Sequence, residues 1–235
     1  MAIKGSINVL YLYMHIQKLF DIEGAKKAKG TTVIIDVFRA ASVDAYLLYK
    51  GVNAIIPVAT KEDGLHLKEK NPDYVLLGEE RGVKFPEYDL GNSPHEVLTT
   101  SLPLSGRKVV HRSSRGTQGI VNATGATEII FGSFVTATAI ARYIKNKNPD
   151  NVSIVAMDPG TEDEIYADYL ADQLTHNHPK SIQEIRKTIK AFPSISWYFD
   201  PNMPDFPQQD FDLCLDLDRF DFVPLLKNGK IIKYV

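Results

Sequence analysis

The sequence predicts a three-layer α/β/α fold with a largely parallel sheet and an antiparallel hairpin at the C-terminal end. Three observations carry this. Short runs rich in Val, Ile and Leu alternate with longer segments of helical character, the βαβα order that parallel sheets produce. Most of these runs are apolar at consecutive positions, as strands covered by helices on both faces require. Near the end of the chain, Asn228-Gly229 splits two apolar runs, the strongest short hairpin signal.

The elements follow in order. Residues 6–12 (SINVLYL) and 31–37 (TTVIIDV) read as strands, and 40–51 as a helix stopped by Gly51. A strand over 53–58 and a helix near 61–70 come next. Further strands are expected at 73–78, 107–111, 127–132 and 151–157, and helices at 116–124, 134–147, 161–176 and 180–191. The stretch from Phe192 to Asp210 carries four prolines and reads as irregular. Too little chain follows it for a separate unit, so residues 1–235 are expected to form one domain.

Composition narrows the function classes. The chain is 44% hydrophobic and 24% charged, ordinary for a soluble globular protein. A formal net charge of −2 provides no field that gathers nucleic acid or an anionic membrane, so any anion site must be local. No apolar run is long enough to cross a bilayer, and the N-terminal run lacks a signal-peptide cleavage pattern. The lone cysteine, Cys214, excludes an internal disulfide. Together these features predict a cytoplasmic protein. Homo-oligomerisation is compatible with the sequence, which contains no feature that fixes it.

In open parallel sheets, ligands bind beyond the carboxyl ends of strands, where loops and helix N-termini converge. The residues at those points are polar throughout. They include Asp36 and Arg39; Glu79, Glu80 and Arg81; the run from Arg112 to Thr117; Ser133; and Asp158, Glu162 and Asp163. The set combines carboxylates suited to a hard cation with arginine, hydroxyl and backbone N–H groups suited to an anion. Metal-assisted phosphoryl chemistry needs both. Each member also has an ordinary reading: an Asp after a strand is often a helix cap, and Arg39 could simply pair with Asp36. Other chemistries fit less well. Cys214 and Arg219 miss the cysteine-phosphatase spacing, the D-x-D of LDLDRF lies far from a first strand, the histidines show no zinc spacing, and no P-loop is present.

Several stretches together resemble the 2-phosphosulfolactate phosphatase (ComB-like) family: VIIDVFRAASV, LLGEERGVKFPEYDLGNSPHE, SSRGTQG, GSFVTATAIARYI and TEDEIYADYL. The resemblance runs from about Asp36 to Leu174, and CLDLDRFDFVP near the end is similar too. It implies a Mg²⁺-dependent phosphatase that releases phosphate from 2-phospho-3-sulfolactate in coenzyme M biosynthesis. On that reading Asp36, Glu80 and Asp163 supply the metal ligands and a general base. Arg39, Arg81, Ser113, Ser114, Arg115 and the N–H groups of Gly116 and Thr117 hold the phosphate or a second anion, while Asn92 and Ser93 orient the substrate. Asp89 belongs to the same matched D-L-G-N-S run, and Glu162 to the matched E-D pair. Three departures mark a divergent member. Arg115 stands where the family has asparagine, Asp158 where it has a small residue, and Asp168 where it commonly has glycine. The alternative is a protein on the same fold that binds a small carboxylate, sulfonate or phosphate anion without turnover.

Overall fold

The computed structural model describes residues 14–175 and 177–235; the strand expected over 6–12 lies outside them. The chain first runs through β1 (His15–Phe20), α1 (Asp21–Lys27), β2 (Gly30–Ile35), α2 (Ala40–Tyr49), β3 (Ala54–Pro57) and α3 (Lys61–Lys70). It continues through β4 (Val75–Glu80), β5 (Val83–Lys84), α4 (Pro94–Thr99), β6 (Lys108–Arg112), α5 (Gly116–Asn122) and β7 (Ala126–Gly132). The last part holds α6 (Ala137–Lys147), β8 (Asn151–Ala156), α7 (Glu162–Leu174), α8 (Ile182–Ile189), α9 (Gln208–Cys214), β9 (Val223–Lys227) and β10 (Lys230–Tyr234). The fold is mixed α/β with a mostly parallel sheet and an antiparallel C-terminal pair, as the alternation of runs predicts. The Pro-rich stretch is partly ordered, with a 3₁₀ turn at Pro193–Phe199 followed by α9.

Among the described residues, ten strands form the sheet in the order β1-β8-β2-β7-β9-β10-β3-β6-β4-β5. The hairpin turns at Asn228 and Gly229, both at positive φ, as a tight turn matched to strand twist requires. Its place was not readable from the sequence. It lies inside the sheet, between one parallel group (β1, β8, β2, β7) and another (β3, β6, β4). The pairings β7–β9, β9–β10 and β10–β3 are all antiparallel, so the two parallel groups run in opposite senses. Twist of about 20–25° per strand accumulates to on the order of 100° between β2 and β6. The groups therefore face each other instead of lying flat.

Helix α2 occupies the space between them. It is buried from Ala40 to Leu48 and apolar but for Ser42 and Asp44, the pattern of a helix wholly surrounded by protein. It packs in one core with Ile34 and Phe131 of the first group, Leu77 and Val109 of the second, and Phe220 and Ile231 of the C-terminal segment. A second core lies on the other face of β2 and β8, under α6, α7 and α8. Buried Cys214 belongs to this second core.

Because β9 and β10 join the two groups, shortening the chain to 222 residues should remove the sheet's continuity rather than trim an edge. The expected result is loss of the cooperative thermal transition, followed by far-ultraviolet circular dichroism. A truncated chain that still melted cooperatively near the full-length temperature would show that the halves hold together without the hairpin.

Candidate active site

Strand ends from both groups meet at an open cleft of about 830 Å³. Asp36 follows β2, Glu79 lies one residue from the end of β4, Ser114 and Arg115 follow β6, and Met157 and Asp158 follow β8; all line it. Two other hollows, about 430 and 560 Å³, lie along α7 and α6 and bring no comparable strand ends together.

Asp36 is buried, and its Oδ1 accepts the N–H of Ala40 at 3.0 Å, capping α2. Burial is the main force on its carboxyl, which is pushed up to about 6; the Ala40 and Gly116 N–H groups oppose this and Glu79 adds to it. The backbone of Gly116 lies against the carboxylate so closely that a Cβ there would sit 2.7 Å from Asp36 Oδ2 and 2.7 Å from the Phe131 ring.

The second carboxylate of the cleft is Glu79, not Glu80. Consecutive side chains on a strand point to opposite faces. Glu79 shares the α2 side with Leu77, while Glu80 is exposed and pairs with Arg112 at 3.4 Å. Glu79 accepts the Ser114 N–H at 2.6 Å, the Ser114 hydroxyl at 3.0 Å and the Gly82 N–H at 2.5 Å. The alternation could have located it, but β4 is apolar on both faces and gave no sign of which one met the site.

Asp163 is buried, and each of its oxygens accepts a backbone N–H. Its Oδ1 accepts the Val37 N–H at 2.7 Å and its Oδ2 accepts the Asp158 N–H at 3.0 Å. It pins the loop after β2 to the loop after β8. Its neighbour Glu162, at the first position of α7, is almost fully buried, and its carboxyl rises to about 7, chiefly through burial and then through the charges of Asp36 and Asp158. Burial, Glu162 and Asp36 hold the Asp163 carboxyl well above its ordinary range.

The donor-rich loop from His111 to Gly119 is an anion cradle, but the anions it holds are the protein's own. Ser114 is spent on Glu79, and its hydroxyl also accepts the Arg81 N–H at 2.8 Å. Ser113 and Thr117 satisfy each other: the Ser113 N–H donates to Thr117 Oγ1 at 2.8 Å, and the Thr117 N–H to Ser113 Oγ at 3.0 Å. Both are buried away from the cleft. His111 is buried against Asp44, with Nδ1 2.7 Å from Oδ1. Ser93 caps α4 by accepting the Glu96 N–H at 3.1 Å and donates to Asp210 at 2.9 Å, so it too is structural. Asp89 accepts the Leu76 N–H at 2.8 Å and pairs with Lys68 at 3.2 Å.

The three arginines of the cleft differ. Arg39 is buried, bound to Asp210 at 3.0 Å and to the carbonyls of Asp205 at 2.5 Å and Gly82 at 3.1 Å. Arg115 reaches the Met157 carbonyl and Asp158 Oδ1, each at 3.2 Å, so two of the residues that mark this chain as divergent pair with each other. The third, Asp168, pairs with Lys18 on the surface. Arg81 lines the cleft and makes no ion pair among the described residues. Asn92 is buried at the cleft with Oδ1 unpartnered.

Among the described residues, no three acidic, histidine or cysteine side chains converge as a ready-made metal cage. Mg²⁺ does not need one, because it takes one or two carboxylates and completes its shell with water and phosphate oxygens. Asp36 and Glu162 fit that requirement: both are buried, and the charge of Asp36 raises the Glu162 pKa, an unfavourable pairing that a cation would relieve. Glu80 is turned to solvent and paired with Arg112, and Asp163 holds the loops on either side of the site.

The sequence model of a family described as 2-phosphosulpholactate phosphatase matches residues 18–198. A probable 2-phosphosulfolactate phosphatase of Caldanaerobacter subterraneus subsp. tengcongensis is 30% identical over 217 residues, covering 84% of this chain and 88% of its own length. One of Clostridium acetobutylicum is 30% identical over 227 residues, covering 90% and 96%. One of Carboxydothermus hydrogenoformans reaches 37% over 150 residues, covering 63% and 60%.

Two outcomes are expected from this geometry. Gly116→Ala should destabilise the fold by about 1–3 kcal/mol, because its Cβ overpacks a rigid contact; denaturant unfolding would read it, and an unchanged midpoint would refute the close approach. The second concerns pH. Between the ordinary values of 3.8 and 4.5 and the raised values near 6 and 7, Asp36 and Glu162 hold protons in the folded chain that the unfolded chain has released. Stability from these groups therefore falls as pH rises through that window. In EDTA, the melting temperature should drop between about pH 5 and 7.5, and the drop should flatten in the Asp36→Asn/Glu162→Gln variant. An equally steep drop in the variant would refute the assignment.

Proposed function

The chain belongs to the 2-phosphosulpholactate phosphatase family, and from that premise we propose that it is a Mg²⁺-dependent phosphatase cleaving a small anionic phosphomonoester in this cleft. The observation that carries the reading is the meeting of four strand ends, with Asp36, Glu79, Arg81, Asn92 and Arg115 around one open space. The ester named for the relatives, 2-phosphosulfolactate, is the first substrate to test, and with it a place in coenzyme M biosynthesis.

Asp36 and Glu162 are the carboxylates that would hold the metal. Mg²⁺ bound there would neutralise charge on the phosphoryl oxygens and supply ordered water. Arg81 is placed to hold a phosphoryl or second anionic group, since nothing else claims its guanidinium. Arg115 is held by Asp158, so an anion would have to compete with that carboxylate for it. Asn92 presents a buried amide oxygen that a substrate hydroxyl can complete by donating to it. Asp163 and Glu79 act one step back. Asp163 fixes the loops that carry Asp36 and Asp158, and Glu79 fixes the turn that carries Ser114 and Arg81.

Purified protein with Mg²⁺ and 2-phosphosulfolactate should release inorganic phosphate, and EDTA should abolish release until Mg²⁺ is restored. Asp36→Asn should lower kcat/KM on the order of 10³-fold, the scale of losing several kcal/mol of charge stabilisation. Activity that survives EDTA would sink the metal's role. An Asp36→Asn variant as active as the parent would sink the site.

A further inference from the structure

One wall of the cleft has no part in phosphoryl chemistry. Phe38, Trp197, Tyr198 and Phe206 line it, with Ile22 and Met157 beside them. Trp197 stands out because its indole is 45% exposed although it packs edge-on against Phe206, with ring centroids 5.3 Å apart. A single exposed apolar side chain is ordinary. Aromatic side chains lining the same cleft as a few charged groups are the composition of a ligand pocket. The wall is also rigidly backed: Phe206 carries the Arg39 guanidinium 4.8 Å from its ring centroid, and Tyr198 packs against Phe38 at 5.2 Å.

Charge and volume point the same way. Carboxylates outnumber arginines around the cleft, Arg39 is consumed by Asp210, and Arg115 is held by Asp158, which leaves Arg81 as the cation without an ion pair among the described residues. That set gives one strongly anionic group a cation with no competing carboxylate among the described residues. A volume of about 830 Å³ lies in the upper part of the range, about 300–1,000 Å³, that drug-sized ligands occupy, and a three-carbon ester leaves much of it unfilled. We propose that the cleft also takes phosphomonoesters whose organic part carries an aromatic ring, with the phosphate on the Asp36 and Arg81 side and the ring against Trp197. The phosphate half of this rests on the phosphatase reading; the aromatic half rests on the wall alone.

Trp197 is the single tryptophan of the chain, so its fluorescence reports occupancy of the wall without any turnover. With Mg²⁺ present, phenylphosphonate and methylphosphonate provide the same non-hydrolysable head group with and without a ring. Phenylphosphonate should shift the emission and bind at least tenfold more tightly. By calorimetry, Trp197→Ala should bring the ratio of affinities below threefold, while Trp197→Leu, which keeps apolar volume, should give an intermediate ratio and a native circular dichroism spectrum. Hydrolysis of phenyl phosphate and methyl phosphate should show the same preference in KM. Equal binding of the two phosphonates, binding of neither, or a ratio unchanged in Trp197→Ala would overturn the aromatic subsite. Ring-selective binding without hydrolysis of any ester would leave the subsite standing and remove the phosphatase reading. Hydrolysis without ring preference would do the reverse.

Discussion

A buried ion pair between Arg39 and Asp210 organises the cleft. Arg39 sits just before α2 and Asp210 lies in α9, far along the chain, yet both are fully enclosed. Around this pair the guanidinium takes the carbonyls of Gly82 and Asp205 and lies over Phe206. The carboxylate takes the Ser93 hydroxyl and the His95 N–H at 2.9 Å each. One pair thus ties together the loop after β2, the β4–β5 turn, the start of α4 and the Pro-rich segment. Burying two charges is costly, and such a pair adds little net stability against an apolar equivalent. What it gains here is position: removing either partner would strand the other charge among residues that form two walls of the cleft.

The same economy runs through the rest of the site. Carboxylates are drawn out of water and then held by donors from loops, so that Glu79 rests on Ser114 and Gly82 and Asp163 on Val37 and Asp158. Each such carboxylate locks two strand ends together. The groups left with spare capacity are few: Asp36, Glu162, Arg81 and the Asn92 amide. Asp36 and Glu162 are also the acids whose affinity for protons has risen toward neutrality, because burial and like charge act on both. Rigid support and reactive capacity are thereby divided between neighbours, as with Asp163 beside Glu162 and Glu79 facing Asp36.

Much of the architecture was legible from the chain. Strands and helices fell close to their expected spans because consecutive apolar residues and caps such as Thr60 with Asp63 act locally. Other elements were not foreseen. Short α4 and α9 form because tertiary contacts such as Ser93–Asp210 hold them, not because their sequences favour helix strongly. The hairpin was readable from Asn228-Gly229, but its insertion between two opposed parallel groups depends on pairings with β7 and β3, to which no local signal points.

The sequence by itself determined the family, the α/β order and the concentration of acids, arginines and hydroxyls at strand ends. These follow from residue type and spacing along the chain. Only the tertiary structure decided which of those groups remain available. Ser113, Ser114, Thr117, Ser93 and Arg39 all read as substrate or anion ligands, and all are consumed by partners within the protein. Glu79 lines the cleft and Glu80 does not, because a strand's two faces differ only once something packs on them. Trp197 faces a cleft because Phe206 and Arg39 back the segment that carries it. The cause is a hydrogen bond or a burial contact, in most cases between residues distant in sequence, and that kind of partner is fixed only when the whole chain closes on itself.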